Sequence, residues 1–563
     1  MYYFTNTPSN EVPLCILTSQ IRLDEIRRAY LSPYGIDQTD ACVMPIESAA
    51  KGKKVPIKLI RQHIAEVLVP ELLAHKVQYV LCPDTAYFKE LAGVDQADAF
   101  AGYVMPTKHG FFVIYVPSYR TIFYDPLKVK SKIARCVEAL IAHAQGSYQD
   151  PGCAIIKYEE YPSTTEAIKE ALERLLAMNL PLTVDIEAFS LKFYESGIGS
   201  IGFSWNENEG ISFLVDYQPI EGATEAPYGI QVKNDEVRAL LKDFFIRYFQ
   251  KQIYHNITFD VTVLIYQLFM DDICDIEGMQ HGLDVMMRNF DCTKLITYLA
   301  TNTCAGNELG LKANSQEFAG NYSMGDDIKD IRNIKPDVLL RYNLIDCLST
   351  WYVYKKHYPT MVLDQQEPVY LDHFKPYAID IVEMQLTGLP IDIERTKEVN
   401  TMVAKMYDDA LRIVQNSPIV ARFEAILAQA WADKKNSEYK KKRVTAADWP
   451  ERFNPNSGPQ LQGLLFDMLG MPVISLTKTK QPSTDADTIK ALLNHTKDPD
   501  ILAFLGAIQE VSLYSTLLNT FLPAMLGAQQ GSDGWYYLFG SYNLGGAISG
   551  RLSSSDPRPN WGH

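Results

Sequence analysis

Apolar residues fall first into short runs of the kind that form strands, Val77 to Cys82 and Phe111 to Val116, with helical spacing between them. This predicts a small α/β unit over residues 1–160. Pro151-Gly152 and then Pro162-Ser163 interrupt it, and Ser163 or Thr164 stands where it caps a helix whose Ile168, Leu172, Leu175 and Leu176 repeat at helical intervals. From Leu182 the pattern reads as a strand, then a hairpin from Ile198 to Tyr217 with a polar turn at 206–210. A helix follows from Asn234 or Asp235, carrying the apolar stripe Val237, Leu240, Leu241, Phe244, Phe245 and Tyr248, and Ile253-Tyr254 opens another strand. Over 161–360 this order predicts a mixed sheet with helices packed on it. Beyond about residue 360 long helices take over, Pro368 to Leu386, ended by Gly388, then Glu394 to about Ala432, so 361–563 is expected to be mostly helical.

Charge narrows the function classes. The 563 residues hold 53 Lys+Arg against 68 Asp+Glu, a net charge of -15, which excludes a globally basic nucleic-acid coat. Basic residues on a nucleic-acid surface would be local, as in Lys434-Lys435 and Lys440 to Arg443, and some acids are available as metal ligands. With 47% hydrophobic residues the chain has enough for several ordinary cores. No uninterrupted apolar run approaches about 18 residues, so no membrane span is expected. The start, Met1-Tyr2-Tyr3-Phe4, lacks the basic and apolar regions of a signal peptide, and an intracellular, cytoplasmic protein is expected. Nine cysteines without a C-x-x-C read as reduced thiols, not as a disulfide framework or a zinc site.

Three segments carry chemistry. Val184-Asp185-Ile186-Glu187-Ala188 sets two carboxylates at i and i+2 of a strand, on one face, with the apolar residues on the other. Adjacent acids repel unless a cation lies between them, and hard divalent ions prefer carboxylate oxygens. His255-Asn256-Ile257-Thr258-Phe259-Asp260 places an imidazole, an amide and a carboxylate at a strand-to-helix junction. Tyr342 and Asp346 are i, i+4 neighbours on a helix opening near Pro336.

The ordered set D-x-E, H-N-x-x-F-D and Y-x-x-x-D resembles the DEDD-type 3'-5' exonucleases of RNase H-like fold, in the subgroup with tyrosine in the third motif. That resemblance implies a proofreading exonuclease in which Asp185, Glu187, Asp260 and Asp346 hold two Mg²⁺ or Mn²⁺ ions and Tyr342 orients the attacking water. It also implies that Asn256 contacts the primer end and that Phe189 packs against the terminal base of a single-stranded 3' end. Asp291, in Phe290-Asp291-Cys292-Thr293, resembles the acid of the family's D-T motif and is expected to be structural.

A second series resembles family A DNA polymerases, and among them the phage enzymes. Met384 to Asp392 resembles the M-E-x-x-G-x-x-I-D segment that opens the polymerase part, with Gln385 where the family has an acid. Phe453-Asn454-Pro455-Asn456-Ser457 resembles the thumb signature, and Thr477 to Asp485 the thumb tip. Ser549 to Ser554 resembles the T-G-R-L-S-S strand. Lys478, Lys480, Ser483, Thr484 and Arg551 are thereby implied as contacts to primer-template duplex. The palm and fingers motifs D-Y-S-x-I-E, K-x-x-x-N-F-x-x-x-Y-G and H-D-E do not occur in this sequence. The expectation is an N-terminal portion of a split or interrupted polymerase that does not polymerise alone, with a second, C-terminal polymerase chain as partner.

In the first module, Val80 to Cys82, Leu91 to Gly93 and Tyr115-Val116-Pro117-Ser118-Tyr119 resemble the uracil-DNA glycosylase fold. Val116 replaces the histidine of H-P-S and no G-x-x-P-G loop is present, so base excision is not expected and the module reads as structural or DNA-docking.

Overall fold

Strands buried on both faces must be apolar throughout, and the N-terminal sheet is built that way. Its strands are β1 (Tyr2–Tyr3), β2 (Leu14–Thr18), β3 (Ala41–Pro45), β4 (Tyr79–Cys82), β5 (Met105–Pro106) and β6 (Phe112–Tyr115), in the order β1-β3-β2-β4-β6-β5. The central four are parallel, and β1 and β5 run antiparallel at the edges. Ile16, Val43, Val80, Leu81, Val113 and Ile114 are fully buried against the flanking helices Leu23–Tyr30, Thr85–Ala92 and Pro126–Ala144.

The computed structural model describes residues 1–5, 11–47, 55–123, 126–301, 308–321, 330–438, 443–477, 480–547 and 549–555. The chain divides into two compact units, Met1–Leu386 with Gly540–His563, and Thr387–Phe539. It is a mixed α/β fold with several sheets and many helices.

A second six-stranded sheet follows within the first unit. It comprises β7 (Tyr158–Glu160), β8 (Leu182–Ala188), β9 (Ile198–Asn206), β10 (Glu209–Leu214), β13 (Gln252–Tyr254) and β14 (Phe290–Cys292), ordered β14-β13-β8-β9-β10-β7. A side hairpin, β11 (Tyr217–Pro219) and β12 (Gly229–Gln231), separates β10 from the next helix. β8, β9 and β10 are antiparallel, while β13 and β14 join β8 in parallel.

The helices around this sheet are α1 (Thr165–Met178), α2 (Asp235–Arg247), α3 (Ile257–Phe269), α4 (Thr293–Ala300), α5 (Leu311–Ala319) and α6 (Pro336–Leu363). Thr164 caps α1 by accepting from the Ala167 N–H, and Asn234 caps α2 by accepting from Val237, as their spacing predicts. α6 lies close across the sheet because two strand positions lack a Cβ. One at Gly202 would stand 2.8 Å from Cys347 Sγ, and one at Gly210 2.7 Å from a Leu344 methyl. A buried ion pair locks α2, with Arg238 Nε and Nη2 donating to Asp216 at 2.9 and 2.6 Å.

The organisation differs from the expected 1–160, 161–360 and 361–563 in four ways. β7 pairs in parallel with β10, so residues 158–160 belong to the second sheet. The first unit extends to Leu386, because Tyr370 is buried there, accepting from the Cys292 N–H at 2.9 Å and donating to Asp291 at 3.1 Å. It also takes up the hairpin of β18 (Ser541–Asn543) and β19 (Ser553–Ser555). The joint is Gln385, which donates to Thr258 O and Thr262 Oγ1 and accepts from the Tyr542 N–H at 3.0 Å. A glutamate there would lack the donor, a local reason for the departure from the family's acid. Finally, the helix expected from Glu394 to about Ala432 is two, Ile393–Gln415 and Pro418–Glu438, because Pro418 brings no N–H to continue the first.

The second unit packs these two helices with Pro499–Thr516 around Val414, Phe423, Phe453, Leu464, Leu465, Phe504 and Ile508. A small antiparallel sheet of β15 (Leu389–Ile391), β16 (Gln529–Gln530) and β17 (Tyr536–Leu538) accompanies them. Against the expectation of no such segment, Pro499–Leu526 is long and apolar enough, by length and composition, to cross a membrane. Polar residues interrupt its apolar runs, which is why counting uninterrupted runs passes over it. Its Phe504, Leu505, Ile508 and Val511 lie in the core of the unit.

Candidate metal centre

β8 alternates as its sequence demands: Val184 and Ile186 are buried, and Asp185 and Glu187 stand half-buried on the opposite face. The register with β9 shifts between Glu187 and Ala188, a bulge at the end of the acidic pair. α6 brings the third acid. Asp346 joins Asp185 and Glu187 so that their carboxylate oxygens all lie within 4.8 Å of one another. Asp260, in the first turn of α3, is buried and close enough that its charge raises Asp185 and Glu187.

Each acid is held by named neighbours. Asn343 donates to the Asp185 carboxylate at 2.7 Å and to its backbone carbonyl at 3.2 Å, and Ser212 fixes that amide by donating to Asn343 Oδ1 at 2.9 Å. Burial, then the charges of Asp346, Asp260 and Glu187, push Asp185 well above the ordinary carboxylate range. Glu187 is raised by burial and then by Asp346, with Lys312 pulling against it. Burial raises Asp260 while hydrogen bonds from backbone, its own and that of Ile186, oppose. Asp346 rises to about 6 by burial, with Lys312 and a hydrogen bond from Tyr342 opposing. The Tyr342 phenol is pushed far up, first by burial and then by Asp346, Glu187 and Asp185, so it stays protonated at neutral pH.

These residues fit a divalent cation. Asp346 Oδ1 is buried and accepts no hydrogen bond, while Asp185, Glu187 and Asp346 bring oxygen-only donors together and the Asp260 charge acts on the first two. A cation among them would relieve the repulsion that adds to burial in raising Asp185, Glu187 and Asp260.

The other expected site residues are distributed as follows. Phe189 is half-buried at the end of β8, stacked on Tyr217 at 6.2 Å. Asn256 adopts a left-handed conformation (φ 66°) at the start of α3 and accepts from Lys294 at 2.9 Å. Beside it, His255 is held down to about 3 by burial and then by the Lys294 charge, and hydrogen-bonds Thr293 at 2.8 Å. Asp291 is structural as expected, saturated by Lys251 at 2.7 Å, Lys375 at 3.3 Å and the hydroxyls of Tyr354 and Tyr370 at 3.1 Å each. Arg551 is exposed after β18.

Lys480, Ser483 and Thr484 lie in the second unit, and Lys478 falls outside the described residues. Lys480 is exposed and Thr484 half-buried. Ser483 does not present its hydroxyl to solvent: it is buried and donates to Asp485 at 2.7 Å, where Asp485 caps the helix Ala486–Leu492. Helix capping therefore replaces the expected phosphate contact. Asn343, Ser212 and Lys312 carry no signal in the D-x-E, H-N-x-x-F-D and Y-x-x-x-D spacings. Only Asn343's place beside Tyr342 and three residues before Asp346 hints at its role.

Residues 425–560 match the family described as DNA polymerase family A. DNA polymerase I of Synechocystis sp. is 26% identical over 404 residues, covering 70% of this chain and 34% of its own length. The DNA polymerase of Bacillus phage SP01 is 22% identical over 326 residues, 54% of this chain and 33% of its own. That of Escherichia phage T5 is 28% identical over 188 residues, 33% of this chain and 18% of its own. A solved structure, the POL domain of Pol1 from M. smegmatis in complex with DNA primer-template and dNTP, aligns at TM-score 0.44 and 17% identity, over 71% of this chain and 55% of that one. The chain spans about a third or less of the length of these curated relatives. The acidic group Asp185, Glu187 and Asp346 has the composition to hold a metal ion. Residues 425–560 are thus similar to DNA polymerase family A.

Proposed function

We propose that the second sheet and its helices form an RNase H-like 3'-5' exonuclease that removes terminal nucleotides from DNA in the manner of a proofreading activity. The convergence of Asp185, Glu187 and Asp346, with Asp260 and Tyr342 beside them, carries this reading. Asp185, Glu187, Asp260 and Asp346 would hold two Mg²⁺ or Mn²⁺ ions. When bound, such ions supply an activated water and neutralise charge on the phosphate and the leaving 3' oxygen. The chain's own groups do the rest. Asn343, fixed by Ser212, orients Asp185. Tyr342, protonated and bonded to Asp346, serves as a hydrogen-bonding group for the attacking water and not as a base. Phe189 offers a ring face to the terminal base, and Asn256, held by Lys294, offers its amide to the primer end.

The second unit is proposed to contact primer-template duplex through Lys478, Lys480 and Thr484, and the hairpin of the first unit is separately proposed to contact DNA through Arg551. Primer extension needs metal-held acids at a nucleotide site. The family's palm motifs are not among these 563 residues, and a polypeptide segment bearing them is what primer extension would require. Digestion of a 5'-labelled single strand in Mg²⁺ should release nucleoside monophosphates from the 3' end, and Asp185→Ala should abolish it. Digestion equal in Asp185→Ala and wild type would sink the proposal. Extension of a primer by this chain alone would sink its second part.

A further inference from the structure

Lys312 is a cation beside the acidic centre that no motif accounts for. Its ammonium lies 4.7 Å from the centre of the Tyr342 ring, and its charge opposes the raised ionisation of both Glu187 and Asp346. It sits in the first turn of α5, a helix of nine residues whose placement comes from elsewhere in the fold.

One turn beyond Lys312, and on the same face, Gln316 is buried. Its amide donates to two backbone carbonyls of the N-terminal module, Ala99 O at 3.0 Å and Ala101 O at 3.2 Å. The end of the helix is gripped by the same module. The Asn321 N–H donates to the Tyr103 hydroxyl at 2.7 Å, and that hydroxyl donates to Pro151 O at 2.8 Å. Gly152 approaches so closely that a Cβ there would stand 2.2 Å from Ala319 O. Arg135 pairs with Glu317 at 3.8 Å. The opposite side of α5 packs on α6, with Phe318 stacked on Tyr352 at 4.7 Å and 6°. α5 is therefore clamped between the N-terminal module and the helix that carries Tyr342 and Asp346.

We infer that the N-terminal module is a positioning device for the nuclease centre: through Gln316 and Tyr103 it sets α5 so that Lys312 lies on the face of Tyr342. The inference rests on the exonuclease reading for its kinetic consequences and on geometry alone for its link. A cation on the ring face restrains the phenol that the attacking water meets. It also counters the excess negative charge of the acids before ions bind. Lys312 acts through Tyr342 and is a positioning residue. The module needs no active site of its own for this role, which agrees with Val116 standing where a glycosylase-like motif would have histidine.

The test uses the full chain and two readouts, single-strand digestion and Mn²⁺ affinity by titration calorimetry. Lys312→Met is expected to lower kcat about tenfold with KM within about twofold, and Lys312→Arg, which keeps a cation on the ring, to restore most of it. Removing a cation from beside the acids should tighten Mn²⁺ binding about threefold, whereas collapse of the site would weaken it. Gln316→Met and the milder Tyr103→Phe, neither of them among the proposed metal ligands, should move kcat and Mn²⁺ affinity in the same directions. Gln316→Met should add nothing to Lys312→Met in the double variant. Mn²⁺ affinity unchanged in Gln316→Met, or full additivity in the double variant, would overturn the inference whether or not DNA is cut. Wild-type chain that binds Mn²⁺ but digests nothing would instead defeat the exonuclease reading, leaving the Mn²⁺ series to decide the link.

Discussion

Replacing Asp346 by asparagine should stabilise the metal-free protein while destroying its proposed activity. In the folded chain this acid ionises at about pH 6, because burial disfavours its charged form, with Lys312 and the Tyr342 hydroxyl opposing. In the unfolded chain it ionises at about 3.9. At about 1.4 kcal/mol per pH unit, holding it charged in the fold costs about 3 kcal/mol. The sign follows from linkage. Below about pH 4 both states bind the proton and the cost vanishes; it grows as pH rises from about 4 to 6 and is complete above. Asp346→Asn removes the charge, and its amide oxygen still accepts from Tyr342. In EDTA at pH 8 the variant should therefore be about 2 to 3 kcal/mol more stable, and at pH 5 about half that. Urea denaturation, followed by hydrogen exchange of peptides from Pro336–Leu363, reads the first unit directly. Adding Mn²⁺ should narrow or reverse the difference, since wild type gains a bound ion and the variant has lost a ligand. A variant less stable than wild type in EDTA at pH 8, or a gain independent of pH, would refute the electrostatic account.

Three further outcomes are expected. Asn343→Leu leaves Asp185 without its donor and should cut digestion and Mn²⁺ affinity about 10- to 100-fold, measured side by side. Arg238→Ala strands the fully buried Asp216 carboxylate and should cost about 3 to 5 kcal/mol, seen as a lowered urea midpoint. Gly152→Ala places a Cβ against Ala319 O at a backbone φ of +85°, so it should destabilise by about 1 to 3 kcal/mol and speed hydrogen exchange in Leu311–Ala319.

Much of the second sheet was legible in the chain. Period-two alternation at Val184 to Ala188, the helix caps at Thr164 and Asn234, and the i, i+4 pair Tyr342 and Asp346 are local features, so local rules find them. The spacings of the four acids and the tyrosine were also legible, because side chains on regular elements keep fixed intervals. Strand β7 was not, since three residues hold no period and its pairing with β10 is long-range. Ser483 belongs in sequence to a segment that resembles the thumb tip, and only the fold shows its hydroxyl donating to Asp485, the cap of the next helix.

The chain's own residue order determined which acids exist, on which faces of which elements they sit, and that a polymerase-like segment follows them. Tertiary structure alone decided that Asp346 comes together with Asp185 and Glu187, a ligand oxygen of each within 4.8 Å of the others, that Asn343 and Ser212 hold Asp185, and that α5 brings Lys312 to Tyr342. It also decided that residues 541–555 return to the first unit through Gln385. The reason is physical. Periodicity records what one element buries, whereas a charge at the centre answers to neighbours more than a hundred residues away, brought close by glycines at 202 and 210 and by a glutamine amide with two carbonyl partners.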